Sequence, residues 1–187
     1  MVGMPCRVDE RQLLLGLRLM NGQVAEYAWS RLLKSASLST VQFDSLTLIN
    51  IAKQSELGKR RIKLALPYIL KEYGYSVRQL DGTYKTKLSW SNVPAAIILD
   101  YIYGIDSVFS YKGWVLAVDV TVNPDSIRDK QGKLEGLAKM WSAIGIDKVA
   151  IAHLVMPEDR PCIADKVTAV ETCRRILKDE QVLKIAL

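Results

Sequence analysis

Histidine is nearly absent from this 187-residue chain, with His153 the single example. Cysteine is scarce too. Cys6, Cys162 and Cys173 are odd in number, widely spaced and form no CxxC pair. Together these two shortages exclude a zinc site of the usual ligand spacing and a disulfide framework. No apolar run reaches the roughly 18 residues that a membrane span needs. The N-terminal residues MVGMPCRVDERQ lack the apolar stretch of a secretory signal, which points to a cytoplasmic, intracellular protein. No internal repeat or low-complexity segment is present. Acidic residues are outnumbered, 20 against 26 basic ones, for a net charge of +6 and a pI near 9.2. A basic balance of this kind suits an anionic partner, nucleic acid first among them. Hydrophobic residues make up 49% and charged residues 25%, the composition of an ordinary packed domain.

The basic excess is concentrated. Residues 53–87 hold nine Lys and Arg side chains against Glu56, Glu72 and Asp81. Patterning predicts a helix from about Lys59 to Tyr73, then strands Tyr75–Leu80 and Tyr84–Leu88 joined at Asp81-Gly82, a strong hairpin dipeptide. Two readings of this stretch stay open. One is a winged helix-turn-helix with a turn at Gly58 and a β wing. The other makes the helix and its following strand the start of a catalytic core. In both, Lys59, Arg60, Arg61, Lys63, Arg78, Lys85 and Lys87 form a DNA-binding surface.

Upstream, residues 9–34 read as helical with a break near Asn21-Gly22, and Val41–Gln54 as a further helix. The expected division is an N-terminal helical segment, 1–54, and a core, 55–187. Downstream, 91–103 reads as a short helix or buried turn. Asp125–Ile144 reads as a long helix, Lys148–Val155 as a buried strand, and Ile163–Leu177 as a final helix before a frayed tail.

The most informative stretch is Gly104–Lys133. It reads as a strand Asp106–Ser110, a turn at Tyr111-Lys112-Gly113 and a strand Trp114–Val122. Alternation puts Asp119 and Thr121 on one face and Val118, Val120 and Val122 on the other. A carboxylate inside the run WVLAVDVTV is costly unless something pairs with it. The hairpin brings Asp106 toward Asp119, and two converging carboxylates suit a divalent metal. On the next helix, Lys130 and Lys133 lie at the end closest to Asp119, on or beside the face of Leu134, Leu137 and Trp141.

Asp106 followed thirteen positions later by Asp119-x-Thr121, with a helix and strand before and after, resembles the PD-(D/E)XK nuclease superfamily. The resemblance spans about 55–155 and implies an α/β (α+β) fold. That fold is a small mixed central sheet flanked by helices, restriction-endonuclease-like, with an N-terminal helical segment. It implies a metal-dependent DNA endonuclease in which Asp106, Asp119 and the backbone carbonyl of Val120 hold Mg²⁺, or Mn²⁺ in its place. Thr121 stands where the family's pattern has lysine, and Ile105 where it has proline. The missing lysine is then supplied by Lys130 or Lys133. A carboxylate on the core's first helix has Glu56, Glu72 or, if the N-terminal helix packs there, Glu26 as candidates, with Glu56 preferred. Cutting both strands calls for two copies, hence a homodimer. The alternatives are a non-catalytic winged-helix-like DNA-binding protein and an inactive nuclease fold acting as an assembly subunit.

Overall fold

A computed structural model describes residues 22–155 and 166–186. Its centre is the hairpin of β4 (Ser107–Tyr111) and β5 (Trp114–Thr121). Lys112 and Gly113 turn it, with φ of 51° and 83°. Two successive residues at positive φ match the right-handed twist of a two-residue hairpin loop, which is why glycine sits there. β5 pairs antiparallel with β4 and parallel with β6 (Lys148–Val155). The five-stranded sheet is completed by β1 (Ser39–Thr40) at one edge and β7 (Val182–Ala186) at the other, in the order β1-β4-β5-β6-β7. The molecule is thus a mixed sheet flanked by helices.

The alternation of β5 divides the core. Leu116, Val118 and Val120 face α1 (Gly22–Ser35) and a C-terminal helix, Lys166–Leu177. From α1 they meet Trp29, Leu32 and Leu33, an i, i+3, i+4 stripe. Ala117 faces the opposite layer. That layer contains α2 (Ser45–Ala52), α3 (Glu56–Tyr73), α4 (Ala95–Ile98) and α5 (Ile127–Ala143), and the C-terminal helix is therefore α6. Asp119 and Thr121 share the face of Ala117, as alternation requires.

Three differences from the sequence-based expectation matter for function. From residue 22 on, the N-terminal segment is not separate from the core: α1 packs on β5 and α6, and β1 extends the sheet. The expected strands near 75–80 and 84–88 are β2 (Tyr75–Arg78) and β3 (Tyr84–Lys87), which pair only with each other. Every residue of these two strands is exposed except the half-buried Val77, so the hairpin has no apolar face to dock on the main sheet. The tail after Leu177 is not frayed but forms β7, with Leu183 and Ile185 buried. The helix expected before Asn21 lies outside the described residues.

The segment leading to Asp106 is held from several sides. Residues Leu99–Tyr103 form a wide π turn, ended by Gly104 in the left-handed region at φ 67°. The Tyr103 hydroxyl donates to the Leu48 carbonyl at 2.7 Å, and the Trp141 indole N–H donates to the Tyr103 carbonyl at 2.9 Å. Arg61 donates to the carbonyls of Ile102 and Tyr101, the latter at 3.0 Å. Insertions of this type in helices often mark functional sites.

Candidate functional site

The carboxylates of the hairpin meet as the sequence pattern requires. The last ladder pair is Ser107 with Val118. One step further sets Asp106 opposite Asp119, where cross-strand side chains lie about 5 Å apart at Cβ. The Asp106 N–H donates to the Val118 carbonyl at 3.0 Å. In return, the Val120 N–H donates to the Asp106 carboxylate at 2.6 Å. Asp106 is therefore fixed by backbone on both sides.

Lys130 closes the site from α5. Its ammonium pairs with the Asp119 carboxylate and donates to the Val120 carbonyl at 3.2 Å. Both charged side chains are largely buried, 19% exposed for Lys130 and 8% for Asp119. A 3₁₀ turn at Pro124–Ser126 makes this reach possible, because it aims the first turn of α5 back at the strand end. Thr121 builds that turn. Its hydroxyl accepts from the Asn123 N–H at 3.1 Å and shares a hydrogen bond with the Ser126 hydroxyl at 2.8 Å. Thr121 thus holds the bend that delivers Lys130, a structural part in place of the chemical one.

Two further acids surround this pair. Glu26 projects from α1, and its carboxyl is pushed up by burial and by Asp100, against the pull of Lys130. Asp100, from the π turn, is likewise pushed up by burial and then by Asp119, with Lys130, Arg61 and Lys133 opposing. The largest effect falls on Asp106. Burial raises its carboxyl to about 7; the Val120 N–H opposes this, and repulsion from Asp119 and Glu26 adds to it. One strongly perturbed carboxyl, Asp106, beside a buried lysine–carboxylate pair is the electrostatic mark of a candidate functional site.

The other expected site residues separate. Glu56 is at the solvent-exposed start of α3, paired with Lys59 at 2.6 Å, away from the carboxylates; Glu26, from α1, is the N-terminal acid whose charge reaches Asp106. This correction follows from α1, not α3, being the helix laid against β5. Lys133 acts on Asp100, whose carboxyl it pulls down. Arg61 is turned inward onto the π turn, so it leaves the basic surface. Lys59 is tied to Glu56, while Arg60, Lys63, Arg78, Lys85 and Lys87 remain on the α3–hairpin side. Asp100 had no signal in the sequence beyond its charge. His153 stands beside Thr121 in the β5–β6 ladder and beside Lys184 in the next. Alternation puts it on the carboxylate face, a position legible only once the register is known.

Compared with family models, with curated proteins and with solved structures, the chain matches none.

Among the described residues, no three acidic, histidine or cysteine side chains converge closely enough to enclose an ion. The donor set here is smaller: Asp106, Asp119 and the Val120 carbonyl. Such a set fits Mg²⁺, which binds through one or two carboxylates and keeps several waters. It also fits the charge, since Glu26, Asp100, Asp106 and Asp119 face one close lysine.

Proposed function

We propose that this chain is a metal-dependent DNA endonuclease of the PD-(D/E)XK kind, with Asp106, Asp119, the Val120 carbonyl and Lys130 as its site. The observation that carries the reading is Lys130. A lysine missing from the third motif position reaches the same carboxylate and carbonyl from the following helix. The order helix, short strand, hairpin, helix, strand supports it, once residues 41–104 are seen as an insertion between β1 and β4.

Asp106 and Asp119 would hold Mg²⁺ or Mn²⁺ with the Val120 carbonyl. When bound, the metal supplies Lewis acidity that offsets phosphate charge and makes water acidic enough to attack. Lys130 orients the attacking water and faces the negative charge that builds on the phosphate. The water oxygen bonds to phosphorus, the bond to the leaving sugar oxygen breaks, and that oxygen takes up a proton. Glu26 or Asp100 accepts the proton the water gives up. The exposed cations of α3 and the β2–β3 hairpin supply backbone contacts. A homodimer would bring two such sites to a duplex.

One observation favours a second reading, a DNA-binding protein on an inactive nuclease fold. Lys130 neutralises Asp119 and occupies the Val120 carbonyl, two of the expected metal ligands. The order α2, α3, β2–β3 hairpin also suits a winged helix. Incubation with plasmid and branched DNA in Mg²⁺ or Mn²⁺ separates the two. The nuclease reading requires cleavage that chelation and Asp119→Ala abolish. Salt-sensitive binding with no metal-dependent cleavage would leave the second reading in its place.

A further inference from the structure

A cleft of about 330 Å³ opens beside the carboxylates, between α1, the β1 edge and α4. Glu26 and Asp106 belong to its wall, so it is continuous with the site rather than remote from it. Its size lies at the small end of sites for single small molecules. Trp29 and Phe43 give it aromatic walls and Gln42 gives it an amide. Trp29 carries the second observation. This side chain is 2% exposed, yet its indole N–H has no hydrogen-bond partner among the described residues. A buried donor without an acceptor is costly, and native proteins rarely keep one without a reason.

We infer that this cleft takes one unpaired nucleobase of the DNA strand being cut, adjacent to the scissile phosphate. This rests on the nuclease reading and deepens it, because it makes the substrate a strand with an unpaired or extruded base. The Phe43 ring suits the flat face that every base offers, independent of sequence. The Trp29 N–H suits the ring nitrogens and carbonyls of a base edge, while Gln42 offers both donor and acceptor. A continuous duplex presents no single base to a cleft of this size without extrusion, which is least costly at a mismatch, junction or single strand.

The test is an abasic scan. Forked and single-stranded oligonucleotides carry one abasic position, moved a step at a time, and binding to the full chain is read by fluorescence anisotropy in EDTA. One position is expected to weaken binding about tenfold, the loss of a stacked base. Ala96 is exposed on the cleft wall, so Ala96→Phe fills the cleft without entering the core. This variant should weaken the intact oligonucleotide to a similar degree and lose the response at that position. Trp29→Phe keeps the ring packing and removes the N–H; about threefold weaker binding is expected. Intact oligonucleotides that bind while no abasic position matters would overturn the cleft assignment, as would a response that Ala96→Phe leaves unchanged. Parallel reactions in Mg²⁺ keep the two ideas apart. Cleavage with a flat scan overturns the cleft alone, and a positional response without cleavage overturns the nuclease alone. Absence of any complex overturns both.

Discussion

Asp106→Asn is the substitution whose outcome the structure constrains most tightly. The wild-type carboxyl is lifted from its ordinary 3.8 to about 7, chiefly by burial. A folded-state pKa above the unfolded one means that the native state binds more protons between those values. Stability then falls as pH rises from about 4 to about 7, and the loss is complete above 7. At about 1.4 kcal/mol per pH unit, the cost approaches ~4 kcal/mol. Sharing of the proton with its charged neighbours reduces this to roughly 2–4 kcal/mol. Asparagine removes the charge but keeps an oxygen for the Val120 N–H, which Asp106 accepts at 2.6 Å. Asp106→Asn should therefore be more stable than wild type at pH 8 by roughly 2–4 kcal/mol, with little difference at pH 4. Urea unfolding at both pH values measures this, provided the slopes stay equal. The same variant should lose all metal-dependent cleavage, because a ligand is gone. A more stable, inactive protein is the pattern expected where function holds a strained group in place. A variant less stable than wild type at pH 8, or a wild type equally stable at both, would refute the electrostatic account.

Three further outcomes follow from the same geometry. Lys130→Ala leaves the 8%-exposed Asp119 without its partner, and should lower stability by about 1–3 kcal/mol at pH 7 and abolish cleavage; Lys130→Met, read by the same unfolding assay, recovers packing but not activity. Glu26→Gln should reduce the cleavage rate at least about tenfold, while Glu56→Ala, on an exposed pair, should leave rate unchanged and shift stability within about 0.5 kcal/mol. Replacing Arg78, Lys85 and Lys87 of the exposed hairpin together with alanine should flatten the salt dependence of DNA binding by up to about three, near one for each phosphate no longer neutralised, with no change in the unfolding midpoint.

Much of the hairpin was legible from sequence because its signals are local. Lys112-Gly113 must turn, the flanking residues alternate, and an aspartate within an apolar strand has few structural excuses. The helical period likewise put Lys130 at the near end of α5, and the structure joins it to Asp119. What stayed hidden depends on contacts distant in the chain. Glu26 could be placed only by knowing that α1 lies on β5, across an insertion of some sixty residues. The strands β2 and β3 carry the same local pattern as core strands. Only their exposure distinguishes them, and exposure is a tertiary property. Arg61 reads as one more cation of a basic helix, yet it turns inward because two carbonyls of the π turn need donors. The π turn, and with it Asp100, has no sequence signature. β7 was missed because a five-residue strand at a chain end gives little pattern to read.

The most direct test of the site is a crystal of the wild-type chain soaked in Mn²⁺, with anomalous scattering to locate the ion. The account predicts a peak between Asp106 and Asp119, beside the Val120 carbonyl, with the Lys130 ammonium moved off Asp119. A saturating soak with no peak there, and Lys130 still paired to Asp119, would contradict it.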